Sequence, residues 1–355
     1  MKEIKILGAG ISGLAAAITL ADAGYSVNVF ERFDTCGKRF GGDLQGIENW
    51  SSNTDAIEEL KSIGIDTDFH YKRFDKISLT NGDRIVKAGL SKPLFYVVKR
   101  GPMKGSLDYS LMQQALKKGV KIIFNSKATE KDVNIVATGP SHKGNIPGIV
   151  KGIVFDTKMK NTAVALLNTK AAYLGYAYLL VVDGYGCICT VATTSKSESI
   201  NNAWDNTFST FKKMFNLDIA NPRNVSGIGC FNIETRFRGD GVLNVGEAAG
   251  IQDFLWGFGI RSAIISGYCA AKSISTGENY EKLVKQRLGK YMYSSIVNRF
   301  VWEKLGLENV YRILERLAKA GYAYGLIKRL YNYPLYQRAL FPVAKIMLNK
   351  DYPKL

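Results

Sequence analysis

The chain has 355 residues, of which 46% are hydrophobic and 22% charged, enough for one large core or two smaller ones. Its 48 basic and 31 acidic residues leave a formal net charge of +17, which favours an anionic partner such as a phosphorylated ligand or an anionic membrane surface. No unbroken stretch of about 20 apolar residues predicts a membrane-spanning helix. No recognition motif accompanies the charge, so we expect no nucleic-acid binding, and we expect a cytoplasmic protein without a cleaved signal peptide.

The N-terminal segment EIKILGAGISGLAAAITLADAGYSVNVFER predicts a strand, a glycine-rich turn, a helix and a second strand. Gly8, Gly10 and Gly13 form a GxGxxG pattern, which permits a tight turn, close approach of a pyrophosphate and close packing of the helix on the strand. Glu31 ends the second strand at the separation from which an acidic side chain reaches ribose hydroxyls. The segment therefore predicts a site for the adenosine of FAD or NAD, without a 2′-phosphate.

The next part of the chain departs from the regular alternation of a nicotinamide dehydrogenase. A glycine-rich and charged loop contains KRFGG at 38–42, DAIEELKSIGI predicts an amphipathic helix, and DKISLTNGDRIVKAGL predicts a hairpin around its NGD turn. RGPMKGSLDYSLMQQALKKG predicts a helix from about Ser106, and the apolar VNIV leads into ATGP at 137–140. Residues 141–225 alternate in the manner of several antiparallel strands.

A second glycine-rich loop, GEAAGIQDFLWGFGI, begins at residue 246 and leads into a helix of small residues. The segment after it, 281–355, interleaves Lys and Arg with apolar residues at helical spacing. These helices either pack one face and solvate the other, or contact an anionic membrane peripherally. For the final helices we also consider a cap over a substrate cavity and an oligomer interface.

The cysteines and histidines of the sequence do not form the patterns of a metal site, a disulfide framework or a nucleophilic catalytic site. The five cysteines form no CxxC pair, so we expect free thiols, and we interpret Cys187 and Cys189 as small core residues of one strand face. His70 and His142 are the only histidines, both in polar segments. We therefore predict no metal site and no nucleophile paired with a histidine base.

Four segments, in order, resemble the flavoproteins grouped with p-hydroxybenzoate hydroxylase, and among them the geranylgeranyl reductase branch. They are GAGISGL with Glu31, KRFGG, ATGP and GEAAGIQDFLWGFGI. The resemblance implies an α/β (α+β) fold with a Rossmann-type FAD-binding domain, an inserted antiparallel substrate domain and a helical C-terminal region. The implied FAD-binding parts are 1–43, 100–140 and 226–280; 44–99 and 141–225 form the substrate domain, and 281–355 the C-terminal region.

The resemblance also explains why one chain has two glycine-rich loops, because one extended FAD lies across both in that family. Arg100 is the arginine of a segment that lies near the cofactor in the family, although it is also compatible with a surface strand end. The implied FAD-binding residues are Gly8, Gly10, Ile11, Ser12, Gly13, Glu31, Arg32, Arg39, Gly41, Gly42, Arg100, Gly139, Gly246, Glu247, Gly257, Gly259 and Ile260.

The chain departs from the family pattern at three informative places. Glu247 stands where the family has an aspartate that binds ribityl hydroxyls, and Phe40 stands where the reductases have a cysteine near the flavin. In the late loop, where the reductases have proline, this chain has the aromatic residues Phe254, Trp256 and Phe258. The nearest thiol, Cys36, receives no catalytic role. No catalytic residue is assigned, since the flavin carries the chemistry.

GYAYLL at 175–180 resembles a reductase strand in which two aromatic side chains share one face, although these tyrosines also suit a sheet core. The predicted substrate-lining residues are Trp50, Tyr176, Tyr178, Phe254, Trp256 and Phe258. The resemblance predicts reduction of carbon–carbon double bonds in an isoprenoid or other lipid-like substrate, apolar or phosphorylated, with NAD(P)H or ferredoxin as the electron donor. The alternatives are a flavin monooxygenase, a redox-neutral enzyme like the lycopene cyclases, and a flavin-binding protein without catalysis.

Overall fold

A computed structural model describes residues 2–89, 92–140, 146–193, 197–239 and 241–351. His142 lies outside the described residues. The strands are β1 (Glu3–Leu7), β2 (Ser26–Phe30), β3 (Leu44–Glu48), β4 (Tyr71–Phe74), β5 (Lys76–Thr80), β6 (Ile85–Gly89), β7 (Phe95–Lys99), β8 (Lys121–Ile123), β9 (Ile135–Val136), β10 (Ile146–Asp156), β11 (Thr162–Leu166), β12 (Tyr176–Val182), β13 (Tyr185–Thr193), β14 (Ala220–Phe231), β15 (Arg238–Gly239) and β16 (Val242–Asn244). The helices are α1 (Ile11–Asp22), α2 (Ala56–Ser62), α3 (Leu107–Lys117), α4 (Ser197–Met214), α5 (Ile260–Thr276), α6 (Tyr280–Leu305), α7 (Leu307–Lys319), α8 (Ala323–Leu330) and α9 (Leu335–Asp351), with 3₁₀ turns at Glu130–Asp132 and Gly246–Ala249.

The first sheet is the nucleotide-binding sheet. Its strands β8, β2, β1, β9 and β16 are adjacent in that order and parallel, with β15 antiparallel at the edge. In chain order this is the 3-2-1-4-5 arrangement of Rossmann folds. Helix α1 is buried from Ile11 to Leu20 because it packs against α3 and α5 as well as the sheet. The predicted Rossmann-type α/β fold is confirmed.

The second sheet has seven strands, in the order β14–β10–β13–β12–β11–β5–β6. Its pairings are antiparallel except for the parallel pair β11 and β5. The predicted NGD hairpin is confirmed, because Thr80 of β5 pairs with Ile85 of β6. Strand β12 alternates as period-two strands do: Leu179 and its like-facing neighbours pack against Phe211 of α4, whereas Tyr178 faces the other way.

A smaller sheet, β3–β7–β4, completes the sheet structure of the described residues. Strand β14 runs across the predicted domain boundary at 225/226. Its residues 226–231, which the prediction assigned to the FAD-binding domain, pair with β10 in the seven-stranded sheet. The predicted division into domains stays a prediction.

Helices α6 to α9 form the C-terminal part of the protein. Ala344 and Leu348 of α9 pack with Phe231 and Phe254, and Val310 of α7 packs in a cluster with β6. Within the described ranges, none of the helices combines the length and the apolar character needed to cross a membrane.

Candidate functional site

A cavity of about 580 Å³ lies where the nucleotide-binding sheet, the seven-stranded sheet and the C-terminal helices meet. Most of the predicted site residues line this cavity. They are Gly8, Gly10, Ile11, Ser12, Glu31, Arg32, Arg39, Trp50, Arg100, Gly139, Tyr176, Tyr178, Glu247, Trp256, Gly257, Phe258, Gly259 and Ile260. The volume is typical of small-molecule and cofactor sites.

The GxGxxG turn forms one end of the cavity. Gly8 has φ +101°, and a Cβ atom there would lie 2.4 Å from the carbonyl oxygen of Ala137. A Cβ on Gly13 would lie 2.1 Å from Gly8 O, so this glycine permits close packing and does not itself line the cavity. No side chain caps the N-terminus of α1, and Gly10, Ile11 and Ser12 face the cavity there. Their backbone N–H groups and the helix dipole suit an anion such as a pyrophosphate.

Glu31 lies beside this turn and is only 8% exposed. Its carboxylate accepts hydrogen bonds from the N–H groups of Ala9 at 2.8 Å and Phe33 at 3.0 Å. The neighbouring Arg32 guanidinium lies 4.6 Å from the centre of the Phe33 ring. The acidic side chain is therefore fixed at the end of β2, where a ribose hydroxyl would be recognised in a Rossmann site.

Three of the segments that suggested the family converge around Arg39. Its Nη1 lies 3.8 Å from Glu247 Oε2, and its Nη2 donates to the carbonyl oxygen of Ile228 at 3.0 Å. A Cβ on Gly139 would lie 2.9 Å from Arg39 Nη1, so ATGP passes close to the same guanidinium. KRFGG, ATGP and GEAAG are thus neighbours in space, as their resemblance to one cofactor site predicts.

Glu247 is held by a backbone group as well as by this cation. Its Oε1 accepts from the N–H of Cys230 at 2.7 Å. Burial raises the pKa of the Glu247 carboxyl, while Arg39, the Cys230 N–H and Arg100 oppose that increase. The longer side chain is therefore accommodated at the cavity wall, where the family has aspartate.

Arg100 lies in the cavity wall and is not at a surface strand end, since its side chain is 6% exposed. It donates to both carboxylate oxygens of Asp108, at 2.8 and 2.9 Å, and to Gln45 Oε1 at 2.8 Å. Its guanidinium also lies 4.0 Å from the centre of the Phe40 ring, and Arg39 lies 4.9 Å from the same ring. Phe40, which by the sequence resemblance stands where the reductases have cysteine, thus presents a ring that is contacted by two guanidinium groups.

Cys36 does not replace the missing thiol. It is 1% exposed, and burial, with smaller contributions from Glu31 and Asp108, raises the pKa of its thiol to about 12. A thiol in this state is a poor nucleophile. Cys187 and Cys189 are buried on one strand face with their Sγ atoms 3.6 Å apart, as the core interpretation expects. Among the described residues, no cluster of three or more histidine, cysteine or acidic side chains could hold a metal ion.

Some of the predicted FAD-binding glycines do not line the cavity but pack closely against neighbouring side chains. Gly42 has φ +95°, and a Cβ there would lie 2.7 Å from the hydroxyl of Tyr185. A Cβ on Gly41 would touch Val225, and one on Gly246 would lie 2.7 Å from Ser12 Oγ. The N–H of Gly246 donates to Ser266 Oγ at 2.8 Å, which joins the late loop to α5.

Another part of the cavity wall is aromatic. The hydroxyl of Tyr176 donates to the carbonyl oxygen of Trp256 at 2.6 Å, and its ring meets the Trp256 ring edge-on at 5.7 Å. Trp50 and Phe258 meet in the same way at 4.9 Å. Burial raises the pKa of the Tyr176 hydroxyl, as it does for Tyr178, so both remain protonated hydrogen-bond donors.

Phe254 is the exception among the predicted substrate-lining residues. It is not part of the cavity wall and packs 5.9 Å from the ring of Phe231, in the cluster with α9. Residues 254–256 form a turn, and Phe254 packs with Ala344 and Leu348 of α9 instead of lining the cavity.

Two groups in the late loop were missed by the sequence analysis. Gln252 donates to the carbonyl oxygen of Gly257 at 3.1 Å and contributes to the cavity wall. Asp253 is fully buried; it accepts from the N–H of Trp256 and, through its two carboxylate oxygens, from the hydroxyl of Tyr331 at 2.9 and 3.0 Å. The second partner could not be identified from the sequence, because it lies 78 residues away.

Comparison with known proteins agrees with this geometry. Residues 6–46 match the family described as the NAD(P)-binding Rossmann-like domain, and a comparison with curated proteins gives no match. A geranylgeranyl bacteriochlorophyll reductase-like protein from Thermoplasma acidophilum superposes with a TM-score of 0.71 at 15% identity, covering 99% of this chain and 100% of that one.

Two further solved structures share the architecture. The flavin-dependent brominase Bmp2 gives a TM-score of 0.66 at 13% identity, with 99% and 100% of the two chains covered. The p-nitrophenol 4-monooxygenase PnpA from Pseudomonas putida DLL-E4 gives 0.64 at 14% identity, with 94% and 99% covered. The chain therefore has the fold that these proteins share.

Proposed function

We propose that this protein is an FAD-dependent oxidoreductase that reduces carbon–carbon double bonds of an isoprenoid or another lipid-like substrate. One observation carries the proposal: a single cavity joins the GxGxxG turn and Glu31 to a wall of uncharged aromatic and aliphatic side chains. A long dinucleotide and an apolar substrate would meet in such a cavity. The reductase-like structure from Thermoplasma acidophilum supports the choice of chemistry.

The residues present fit FAD at the nucleotide end. A side chain at Gly8 or Gly13 would collide with backbone atoms, so the turn is kept narrow, and the first N–H groups of α1 face the cavity. These N–H groups would bind the pyrophosphate, and Glu31 would accept the ribose hydroxyls. Arg39 and Glu247 would hold the ribityl chain between KRFGG and the late loop.

When bound, the flavin supplies the hydride chemistry. The chain's own residues bind and orient the reactants and exclude water. Tyr176, Trp256 and Phe258 present ring surfaces to the cavity, and the hydrogen bond from Tyr176 to the carbonyl oxygen of Trp256 fixes the late loop against the seven-stranded sheet. An apolar substrate would then lie against these rings in a site with few competing waters.

The first test identifies the cofactor and the reaction together. One sample of the purified protein is denatured and the released cofactor is identified. A second sample, kept as the native holoprotein, is reduced with dithionite in the absence of oxygen and mixed with a geranylgeranyl lipid. We expect FAD in the supernatant, reoxidation of the flavin only when the lipid is added, and a saturated product by mass spectrometry. Protein that binds no FAD, or reduced flavin that the lipid does not reoxidise, would contradict the proposal.

The alternative functions predict different results when consumption of oxygen, oxidation of NAD(P)H and conversion of the substrate are measured. A monooxygenase, favoured by the p-nitrophenol 4-monooxygenase neighbour, would consume oxygen and NAD(P)H when an aromatic substrate is added. A cyclase would change the substrate without net oxidation or reduction. A flavin-binding protein without catalysis would do neither, an outcome that Phe40 and Glu247 make worth testing. NAD(P)H and reduced ferredoxin are supplied in separate arms to identify the electron donor.

A further inference from the structure

Helix α8 covers the cavity with one apolar stripe. Its residues Ala323, Leu326, Ile327 and Leu330 line the cavity, at the i, i+3, i+4, i+7 spacing of a single helix face. No residue of α8 is buried, although this stripe points inward. The apolar face therefore lies over open space in the cavity, where an apolar ligand would complete its packing.

The walls around this stripe carry no charge. Leu314 and Leu317 of α7 continue it on the same side, and Ile77, Leu79 and Ala88 of the hairpin β5–β6 also line the cavity. Among the described residues, every charged residue in the cavity lining belongs to residues 31–43, to residues 100–108 or is Glu247. We call the space between α7, α8 and the β5–β6 hairpin the aliphatic chamber.

The chamber adjoins the aromatic residues of the proposed reaction site. Ala323 packs in a cluster that includes Tyr176 and Trp256, and Ile327 and Leu330 pack against the cluster that includes Trp50. From Ala323 to Leu330 the stripe is about 10 Å long by the rise of an α-helix. It is thus long enough to contact an extended chain and not only a compact ring.

One end of α8 is fixed and the other is exposed. The carbonyl oxygen of Leu330 accepts from Asn298 Nδ2 and from Gln337 Nε2, both at 2.9 Å, and Tyr331 donates to Asp253. At the other end, Gly321 has φ +77° and Tyr322 is 68% exposed. The position of the stripe is therefore set by α6, α9 and the late loop.

We propose that the aliphatic chamber binds the linear hydrocarbon chain of the substrate, and that Ala323 and Leu326 of α8 determine how long that chain can be. The proposal rests on the proposed function, in which the substrate is lipid-like. In this proposal the C-terminal helices determine the chain-length specificity for the substrate, and the residues around the GxGxxG turn bind the cofactor.

The test measures chain binding without turnover. The fluorescence of cis-parinaric acid reports occupation of the holoprotein, and geraniol, farnesol and geranylgeraniol compete with it. We expect the longest alcohol to compete best with the native protein. Ala323→Phe fills the chamber, so it should weaken competition by geranylgeraniol about tenfold and leave geraniol nearly unchanged. Arg329→Phe adds the same ring on an exposed position of the same helix and serves as the control.

A second variant should change the chain-length preference in the opposite direction, so the proposal can still be tested if the first variant misfolds. Leu326→Ala enlarges the chamber and should improve competition by the longest alcohol relative to geraniol. Failure of parinaric acid to bind, or equal effects of Ala323→Phe and Arg329→Phe on all three alcohols, would overturn the proposal. Because the measurement needs no double-bond reduction, a protein that binds chains by length but never reoxidises its flavin would disprove the proposed reaction and keep the chamber.

Discussion

Helix α5 approaches α1 closely at Gly267. A Cβ atom there would lie 2.1 Å from the carbonyl oxygen of Ser12 and 3.1 Å from the backbone nitrogen of Ala16. Backbone atoms cannot yield as a flexible side chain can, so the two helices would have to separate. The separation would move the N-terminus of α1, which lines the cavity.

We therefore expect Gly267→Ala to lower the free energy of unfolding by about 1–3 kcal/mol, the usual cost of overpacking. Gly325 of α8 is the matched control, since it is also helical and a Cβ there meets nothing within 4 Å. Gly325→Ala should raise stability by about 0.5–1 kcal/mol. Urea denaturation of both variants checks the pair, and equal destabilisation would contradict the close approach of the helices.

Glu31 gives the second prediction at this scale. Glu31→Ala removes the acceptor of the N–H groups of Ala9 and Phe33 and the proposed acceptor of the ribose hydroxyls. We expect FAD to bind about 10-fold to 100-fold more weakly, which corresponds to one or two lost hydrogen bonds to a charged group. Fluorescence titration of the deflavinated protein measures the change.

Asp34→Ala is the control for this variant, because Asp34 lies in the same loop but is exposed and pairs only with Lys38 among the described groups. Its FAD affinity should match that of the native protein. If both variants lose affinity equally, Glu31 has no specific role.

Single residues were predictable where the backbone itself demands a residue type. Gly8 and Gly13 are required by contacts that any side chain would break, so the glycine spacing identified the turn once it was found between a strand and a helix, with Glu31 after the second strand. Asp253 and Tyr331 were not predictable, because their pairing depends on how the C-terminal helices fold back on the late loop. Phe254 was misplaced for a related reason, since its environment is set by α9.

At the scale of elements, the contact between the late loop and the segment after α8 should depend on pH. Burial raises the pKa of the Asp253 carboxyl from its ordinary value of 3.8 to about 7, and Glu48 adds to the increase, while the Trp256 N–H, the Tyr331 hydroxyl and the Leu255 N–H oppose it. The folded protein therefore binds more protons at this site than the unfolded chain between those two values. Stability from this group is present at low pH and decreases as the pH rises toward about 7.

We expect Asp253→Asn to remove this part of the pH dependence, because the amide keeps the shape but cannot ionise. The difference in unfolding free energy between the variant and the native protein should move in favour of the variant as the pH rises from about 4 to 7. Chemical denaturation at a series of pH values measures it. A constant difference across the range would show that Asp253 does not titrate in this window.

Elements with a local signal were predicted well. The NGD turn fixed the β5–β6 hairpin, and Asp55, whose side chain accepts from Ile57 and Glu58 N–H groups, begins α2 within the predicted DAIEELKSIGI helix. The spacing of apolar residues also indicated helices in the C-terminal region. Which surface the stripe of α8 would cover was not predictable, since periodicity identifies an apolar face without identifying its partner.

For the whole molecule, peripheral contact with an anionic membrane stays a prediction, and the structure suggests how to test it. The most exposed large apolar residues of the described chain include Leu335, Tyr322 and Ile346, all in the C-terminal region with its excess of Lys and Arg. Deleting that region would expose Phe254 and its neighbours, because Ala344 and Leu348 pack there. Point variants are therefore the better test.

We expect the double variant Leu335→Glu and Ile346→Glu to sediment with phosphatidylserine vesicles at least about tenfold more weakly than the native protein at low salt. Tyr173→Glu changes a residue of similar exposure outside the C-terminal region and should have little effect. Equal sedimentation of all three proteins would contradict peripheral membrane contact through these residues.

The overall architecture was predictable because the order of four short segments is more specific than any one of them. The parallel sheet, the inserted antiparallel sheet and the C-terminal helices all follow that expectation. What the sequence did not reveal is how the parts share one cavity, for example that α7 and α8 face the same space as the GxGxxG turn. Such sharing depends on packing angles between elements, which leave no periodic signal.

The late position of β16 and α5 in the chain has a consequence for protein synthesis. Helix α1 is buried over nearly its whole circumference, and part of that cover comes from α5, which begins only at Ile260. During translation, the nascent chain therefore presents an apolar helix without its full cover until more than about three-quarters of it has been made. A ribosome-bound or prematurely terminated product lacking residues from 240 onward should therefore be held by chaperones.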